Sequence, residues 1–200
     1  MEKIIKKSLA KAMDYNSFKS LVSELIKQKK STGKNQSEAL LNYSILSERR
    51  MKRLDKTIKI NSVTKNSILK INKEIIFLIL MESWCGDGAQ ILPILYKMTA
   101  LSSKIDFKVV LRDENEALMN LFLTNGGKAI PKLLIIEKET LKILQDWGPR
   151  PSVATKMVTN YKKENGVLDA TFKKNLQVWY NKDKGMTTQS DLVEILESIT

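Results

Sequence analysis

Residues 75–93 read IIFLILMESWCGDGAQILP, and this stretch decides the fold. Ile75–Met81 is a run of seven apolar residues, rich in β-branched and aromatic types. Such a run is what a strand buried on both faces requires. Glu82 and Ser83 end it, and Gly86-Asp87-Gly88 opens a helical pattern carried by Ile91, Leu95 and Met98. A buried strand passing straight into a helix is half of an α/β layer unit. The handover also places Cys85 at the helix N-terminus, where unpaired N–H groups and the helix dipole favour a thiolate.

Downstream, Ile105–Leu111 reads as a second strand, followed by a helix around Glu116–Leu123 that Gly126 and Gly127 stop. Lys132–Ile136 is a third strand with Leu141–Gln145 as its hairpin partner, closed by Trp147-Gly148-Pro149. Helices are expected near Val153–Lys163, Thr171–Asn181 and Ser190–Ser198. Upstream, Tyr15, Phe18, Leu21, Val22, Leu25 and Ile26 recur at helical spacing before a polar loop, Lys29–Gln36. Ser37 caps a second helix carrying Ala39, Leu40, Tyr43 and Leu46. The pattern predicts that the helices over 15–56 dock on the body through Phe18, Leu21, Leu25, Leu40 and Tyr43. Arg49, Arg50 and Arg53 are then left in solvent.

Composition closes off several chemistries. Among 200 residues there is no histidine and a single cysteine, so His-based catalysis, His-bearing metal sites and an internal disulfide are all excluded. Glu82 and Asp87 alone are too few ligands for a metal. The seven-residue apolar run is far short of the roughly 20 residues that span a bilayer. The basic N-terminus, MEKIIKKSLAKAM, has no apolar stretch or cleavage site after it and does not read as a signal peptide. A cytoplasmic setting without membrane attachment is the expectation. Of the net charge of +12, residues 1–70 supply +11. That basic front reads as a solvated helical extension that aids solubility. Its few aromatics sit at helical spacing as core anchors, so nucleic acid is disfavoured as a partner.

The chemistry-bearing loop resembles the active-site loop of the thioredoxin family. Trp84-Cys85-Gly86 is similar to the family's Trp-Cys-Gly, and Pro93 stands eight residues after the cysteine, where the family kinks its helix. Ile130-Pro131, before an apolar strand, is similar to the cis-proline loop, and Gly148 falls where the family carries a glycine. The likeness covers about residues 75–150, and the flanking helices resemble those of a bacterial thioredoxin-like branch. It implies a thioredoxin-like α/β fold, a central mixed sheet flanked by helices, with N- and C-terminal helical extensions. The implied organisation is a basic helical extension over 1–56, the thioredoxin-like domain over 57–166 and a C-terminal helical extension over 167–200.

Departures from the family matter equally. Its second cysteine falls at Gly88, its proline between the cysteines at Asp87, and its buried acid at Ile79. A dithiol reductase needs the second thiol to resolve the mixed disulfide, and this chain has none. The resemblance therefore implies monothiol exchange by Cys85 on a protein or low-molecular-weight disulfide or thiol, with an external thiol resolving the adduct and no cofactor. Trp84, Gly86, Asp87, Gly88, Ile130 and Pro131 would contact substrate. Gly88 lies one turn from Cys85, so a cysteine there would come within bridging distance. The alternative is a non-catalytic module in which the loops Trp84–Gly88 and Ala129–Pro131 hold a peptide. Cys85 is then a small buried hydrophobe. Asp87 suits the first helical turn, but its charge opposes a thiolate, so the direction of the Cys85 pKa stays open.

Overall fold

The computed structural model describes residues 1–199. Four strands form one mixed sheet: β1 (Ile75–Met81), β2 (Ile105–Leu111), β3 (Lys132–Glu137) and β4 (Ile143–Trp147), in the order β2-β1-β3-β4. β1 is central and every one of its residues is buried. It pairs in parallel with β2 and antiparallel with β3, so that Ile79 lies between Val109 and Leu133. β3 and β4 make an antiparallel hairpin with a register shift at Ile135/Ile136.

Nine α-helices surround the sheet among the described residues: α1 (Glu2–Leu9), α2 (Tyr15–Lys27), α3 (Glu38–Thr57), α4 (Ser62–Leu69), α5 (Gly86–Thr99), α6 (Glu116–Met119), α7 (Ser152–Asn165), α8 (Ala170–Asp183) and α9 (Met186–Ile199). Their starts follow from short polar side chains that satisfy orphan N–H groups. Asp14 accepts from Ser17 N at 2.8 Å, Ser37 from Leu40 N at 3.2 Å and Asp169 from Phe172 N at 2.7 Å. None of the described helices is long and apolar enough to cross a membrane. The whole is an α/β fold with extra helices at both ends.

Those end helices share the core of the sheet. Ile5, Phe18, Val22 and Met51 belong to the same buried apolar cluster as Phe77 and Leu134, as do Phe172 and Leu192 from the other end. Tyr15 stacks on Tyr96 of α5 at 4.4 Å between ring centroids and meets Phe107 of β2 edge-on at 5.9 Å. Its hydroxyl donates to Asp55 at 2.7 Å, tying α2 to α3. Just before α2, Met13 exchanges two backbone hydrogen bonds with Val109 at the sheet edge.

Four expectations need correction. In α3, Tyr43 is 49% exposed and does not dock on the body. The inner face runs through Leu40, Ser44, Ser47, Met51 and Leu54, and it carries serines because the loop after β1 approaches too closely for large side chains. On that same helix Arg50 is half-buried beside Gly86 and is not left in solvent. The helix begun at Glu116 ends at Met119, well before Leu123. Leu121 and Leu123 have no apolar surface to cover, and a two-bond backbone bridge between Thr124 and Gly127 turns the chain toward Pro131. Leu141, expected in the hairpin strand, sits in its turn at φ +56°, and β4 begins at Ile143.

Candidate functional site

The site forms where β1 ends and α5 begins, beside the loop that enters β3. Cys85 is the N-cap of α5. Its Sγ accepts from Gly88 N at 3.3 Å and donates its proton to the carbonyl of Ile130 at 3.3 Å. The Ile130–Pro131 peptide is cis. Cys85, Gly88, Ile130 and Pro131 are therefore brought together. The thiol is also covered, at 6% exposure. Burial, reinforced by the neighbouring Asp87 charge, pushes the Cys85 pKa up to about 12, against the helix N–H groups that pull it down.

Asp87 is buried as well, which an acid tolerates only with partners. Arg150 contacts its Oδ2 at 2.7 Å, and the hydroxyl of Tyr180 donates to its Oδ1 at 3.0 Å. Burial still pushes the Asp87 carboxyl upward, against the pull of Arg150 and Tyr180. Burial and the adjacent Asp87 raise the Tyr180 phenol far above its ordinary value, so it stays a neutral donor. Thus the loop between β4 and α7 and the helix α8 both close over the start of α5.

On the other flank, the loop between α2 and α3 covers Ser83 and Trp84. Ser83 Oγ receives Thr32 N at 3.0 Å and meets Ser44 Oγ at 2.7 Å, while Ser83 N donates to Thr32 Oγ1 at 2.8 Å. Trp84 Nε1 donates to the Thr32 carbonyl at 3.2 Å, and the Arg112 guanidinium lies 4.9 Å from the Trp84 ring centre. Arg112, which makes this cation–aromatic pair with Trp84, also lines an adjacent polar cleft of about 280 Å³ together with Lys34, Asn35, Asp113, Glu116 and Lys128. Glu82 is turned away from Asp87. One of its oxygens accepts from Asp113 N at 2.9 Å, the other has no hydrogen-bond partner, and burial raises its pKa. Among the described residues no group of three or more potential metal ligands forms.

Two positions explain what the loop lacks. Ile79 is fully buried in mid-strand and offers no proton acceptor. A Cβ on Gly88 would stand 3.4 Å from Cys85 Sγ but only 2.1 Å from Met81 Sδ. The Met81 thioether therefore fills the space into which a residue-88 side chain would grow. Gly148 has a similar constraint: at φ +115°, a Cβ there would lie 2.4 Å from the Pro131 carbonyl oxygen.

Sequence reading missed Arg150, Tyr180, Arg50, Thr32, Ser44 and Met81. A buried acid in the first turn of α5 signals that a cation must be near. Nothing local says which of the 34 Lys and Arg residues supplies it.

Comparison with known proteins bears on the same region. No curated protein matches the sequence. Two crystal structures match the fold over nearly the whole chain. One, a protein of unknown function from Pseudomonas aeruginosa, has a TM-score of 0.59 at 14% identity, covering 94% of this chain and 99% of its own. The other, an HIV epitope scaffold, has a TM-score of 0.56 at 17% identity, covering 93% and 99%. At those identities the likeness is one of fold. The family model for thioredoxin matches residues 33–162, a span that takes in Trp84-Cys85-Gly86, Pro93, Pro131 and Gly148. With most of its length under that match, this chain belongs to the thioredoxin family.

Proposed function

We propose that this chain is a non-covalent binding module built on the thioredoxin fold, with Cys85 serving as a masked, structural thiol. The surface around Trp84, Arg112 and the Ala129–Pro131 loop receives the peptide. One observation carries the reading: the Cys85 thiol is buried and gives its proton to Ile130 O. With a pKa of about 12, the thiolate fraction at neutral pH is on the order of 10⁻⁵, and the thiolate is the nucleophile. The Trp84 ring and the adjoining cleft, with cationic and anionic side chains both present, offer the mixed apolar and polar contacts a peptide uses.

A second reading, monothiol exchange, draws on the Gly88 N–H directed at the sulfur, which supports a thiolate once the cover is displaced. In that reaction the Cys85 thiolate attacks one sulfur of a disulfide. The S–S bond breaks, its other sulfur leaves as a thiolate, and a mixed disulfide remains. An external thiol such as glutathione then attacks the mixed disulfide and releases Cys85 as its thiolate. Resolution within the chain has no second thiol to use.

The rate of Cys85 alkylation by iodoacetamide against pH separates the two. Binding without chemistry predicts alkylation slower than that of a free thiol at neutral pH and still rising above pH 10. It also predicts that Cys85→Ser retains the partners wild type captures from a lysate. Alkylation with a midpoint below about pH 8, or partners held only as reducible adducts of wild type, would establish exchange in its place.

A further inference from the structure

A second cleft, of about 530 Å³, lies between α3 and the α8–α9 turn, away from Trp84. Leu54, Ile58 and the half-exposed Met186 form its apolar floor, and Arg53, Lys59 and Lys184 stand on its rim. Among the described residues no carboxylate pairs with any of the three cations. Asp183, the acid next in sequence to Lys184, is turned onto Thr187, accepting from its N–H and hydroxyl. The rim is fixed by packing. Lys184 adopts φ +53° and Gly185 φ +78°, and a Cβ on Gly185 would meet Ile94 Cδ1 at 2.5 Å. Only glycine allows the turn to seat so deeply, and that seating sets Lys184 at the cleft mouth.

The positive charge continues beyond the cleft. Arg49, Arg53 and Lys56 lie at helical spacing on one exposed stripe of α3. Residues 49 and 56 of a helix are about 10 Å apart along its axis. A single anionic headgroup cannot meet cations spread so far, whereas carboxylates along a peptide can. Tyr180, the aromatic residue of the lining, is buried with its hydroxyl committed to Asp87, so it offers no exposed ring face for stacked bases.

We propose that this cleft docks an acidic peptide segment of a partner protein, with an apolar side chain on the Leu54–Ile58–Met186 floor and Asp or Glu side chains against Arg53, Lys59 and Lys184. The cleft adjoins the Cys85 loop through Tyr180, whose hydroxyl donates to Asp87, but the proposal calls on neither Cys85 nor the Trp84 surface, so it is tested independently of the reading given above.

The test uses the full-length chain and a short fluorescein-labelled peptide of Asp and Glu flanking a Leu-Phe pair, read by fluorescence anisotropy at physiological salt. Binding is expected to weaken by about tenfold in Arg53→Glu/Lys59→Glu and also in the Asn/Gln version of the peptide. Met186→Ser, which keeps every charge, should weaken it by about threefold. Lys162→Glu/Lys163→Glu, the same charge change on exposed positions of α7, should leave it unchanged. The proposal is overturned if the α7 variant loses as much affinity, because the attraction is then general. Absence of binding, tighter binding of a thymidine oligonucleotide, or displacement of the peptide by dodecanoate would each overturn it too.

Discussion

Restoring a cysteine at residue 88 tests whether Met81 holds the resolving position closed. The new Cβ would lie 2.1 Å from Met81 Sδ and 2.4 Å from its Cε. Non-bonded carbon atoms prefer about 3.5–4.0 Å, so the Met81 tip must retreat by about 1.5 Å. Met81 is fully buried, and there is no solvent for it to move into. Overpacking of this kind costs about 1–3 kcal/mol, and removing glycine from the helix offsets only a few tenths of that. Met81→Ala alone should cost about 2–5 kcal/mol through the cavity it leaves. In the double variant the thiol grows into that cavity, so the two changes should couple favourably by about 1–3 kcal/mol. Urea unfolding of all four reduced proteins measures the coupling, and intact mass after mild oxidation reports the Cys85–residue 88 disulfide. We expect that disulfide in the double variant and little of it in Gly88→Cys alone. If Gly88→Cys alone stays within about 0.5 kcal/mol of wild type and oxidises as fully as the double variant, Met81 does not guard the position and the reasoning fails.

Three further outcomes follow from the same geometry. The folded Cys85 pKa, about 12, lies above its ordinary 9.0, so the stability it confers is present below pH 9 and lost as pH climbs toward 12. Relative to Cys85→Ala, wild type should lose about 1.4 kcal/mol between pH 8 and pH 10, measured by urea unfolding; a pH-independent difference would contradict the burial argument. Asp87→Asn strands the Arg150 guanidinium and should cost about 3 kcal/mol, near the low end of the range because the Arg150 side chain is 24% exposed. The same change removes the charge that opposes the thiolate, so Cys85 should alkylate faster, and an unaltered rate would show that Asp87 does not act on the sulfur. Gly148→Ala forces a Cβ against the Pro131 carbonyl and should lower stability by about 3 kcal/mol or more, seen as a depressed Tm; a normal Tm would mean the two loops are not in close contact.

Local sequence determined what local physics governs. A short apolar run of seven residues rich in β-branched and aromatic types reads as a buried strand, and Ile75–Met81 occupies the sheet centre at those boundaries. Ser37 announces a helix because a short side chain meets its own N–H groups within a few residues. The adjacency of Cys85 to a helix start, and the lack of a second cysteine, were equally plain. Tertiary structure decided whatever depends on which distant surfaces meet. Tyr43 reads as an anchor by hydrophobicity, but α3 turns its serine face inward because Ser83 comes within hydrogen-bond reach of Ser44. The direction of the Cys85 pKa could not be read from the loop, where the helix N–H groups and Asp87 oppose each other. Burial settled it upward, because desolvation is a property of everything packed around the sulfur. Met81 and Gly88 are seven residues apart, on a strand and on a helix. Only folding turns that separation into a shared volume, and so makes the absence of the second thiol a feature of the packing as well as of the sequence.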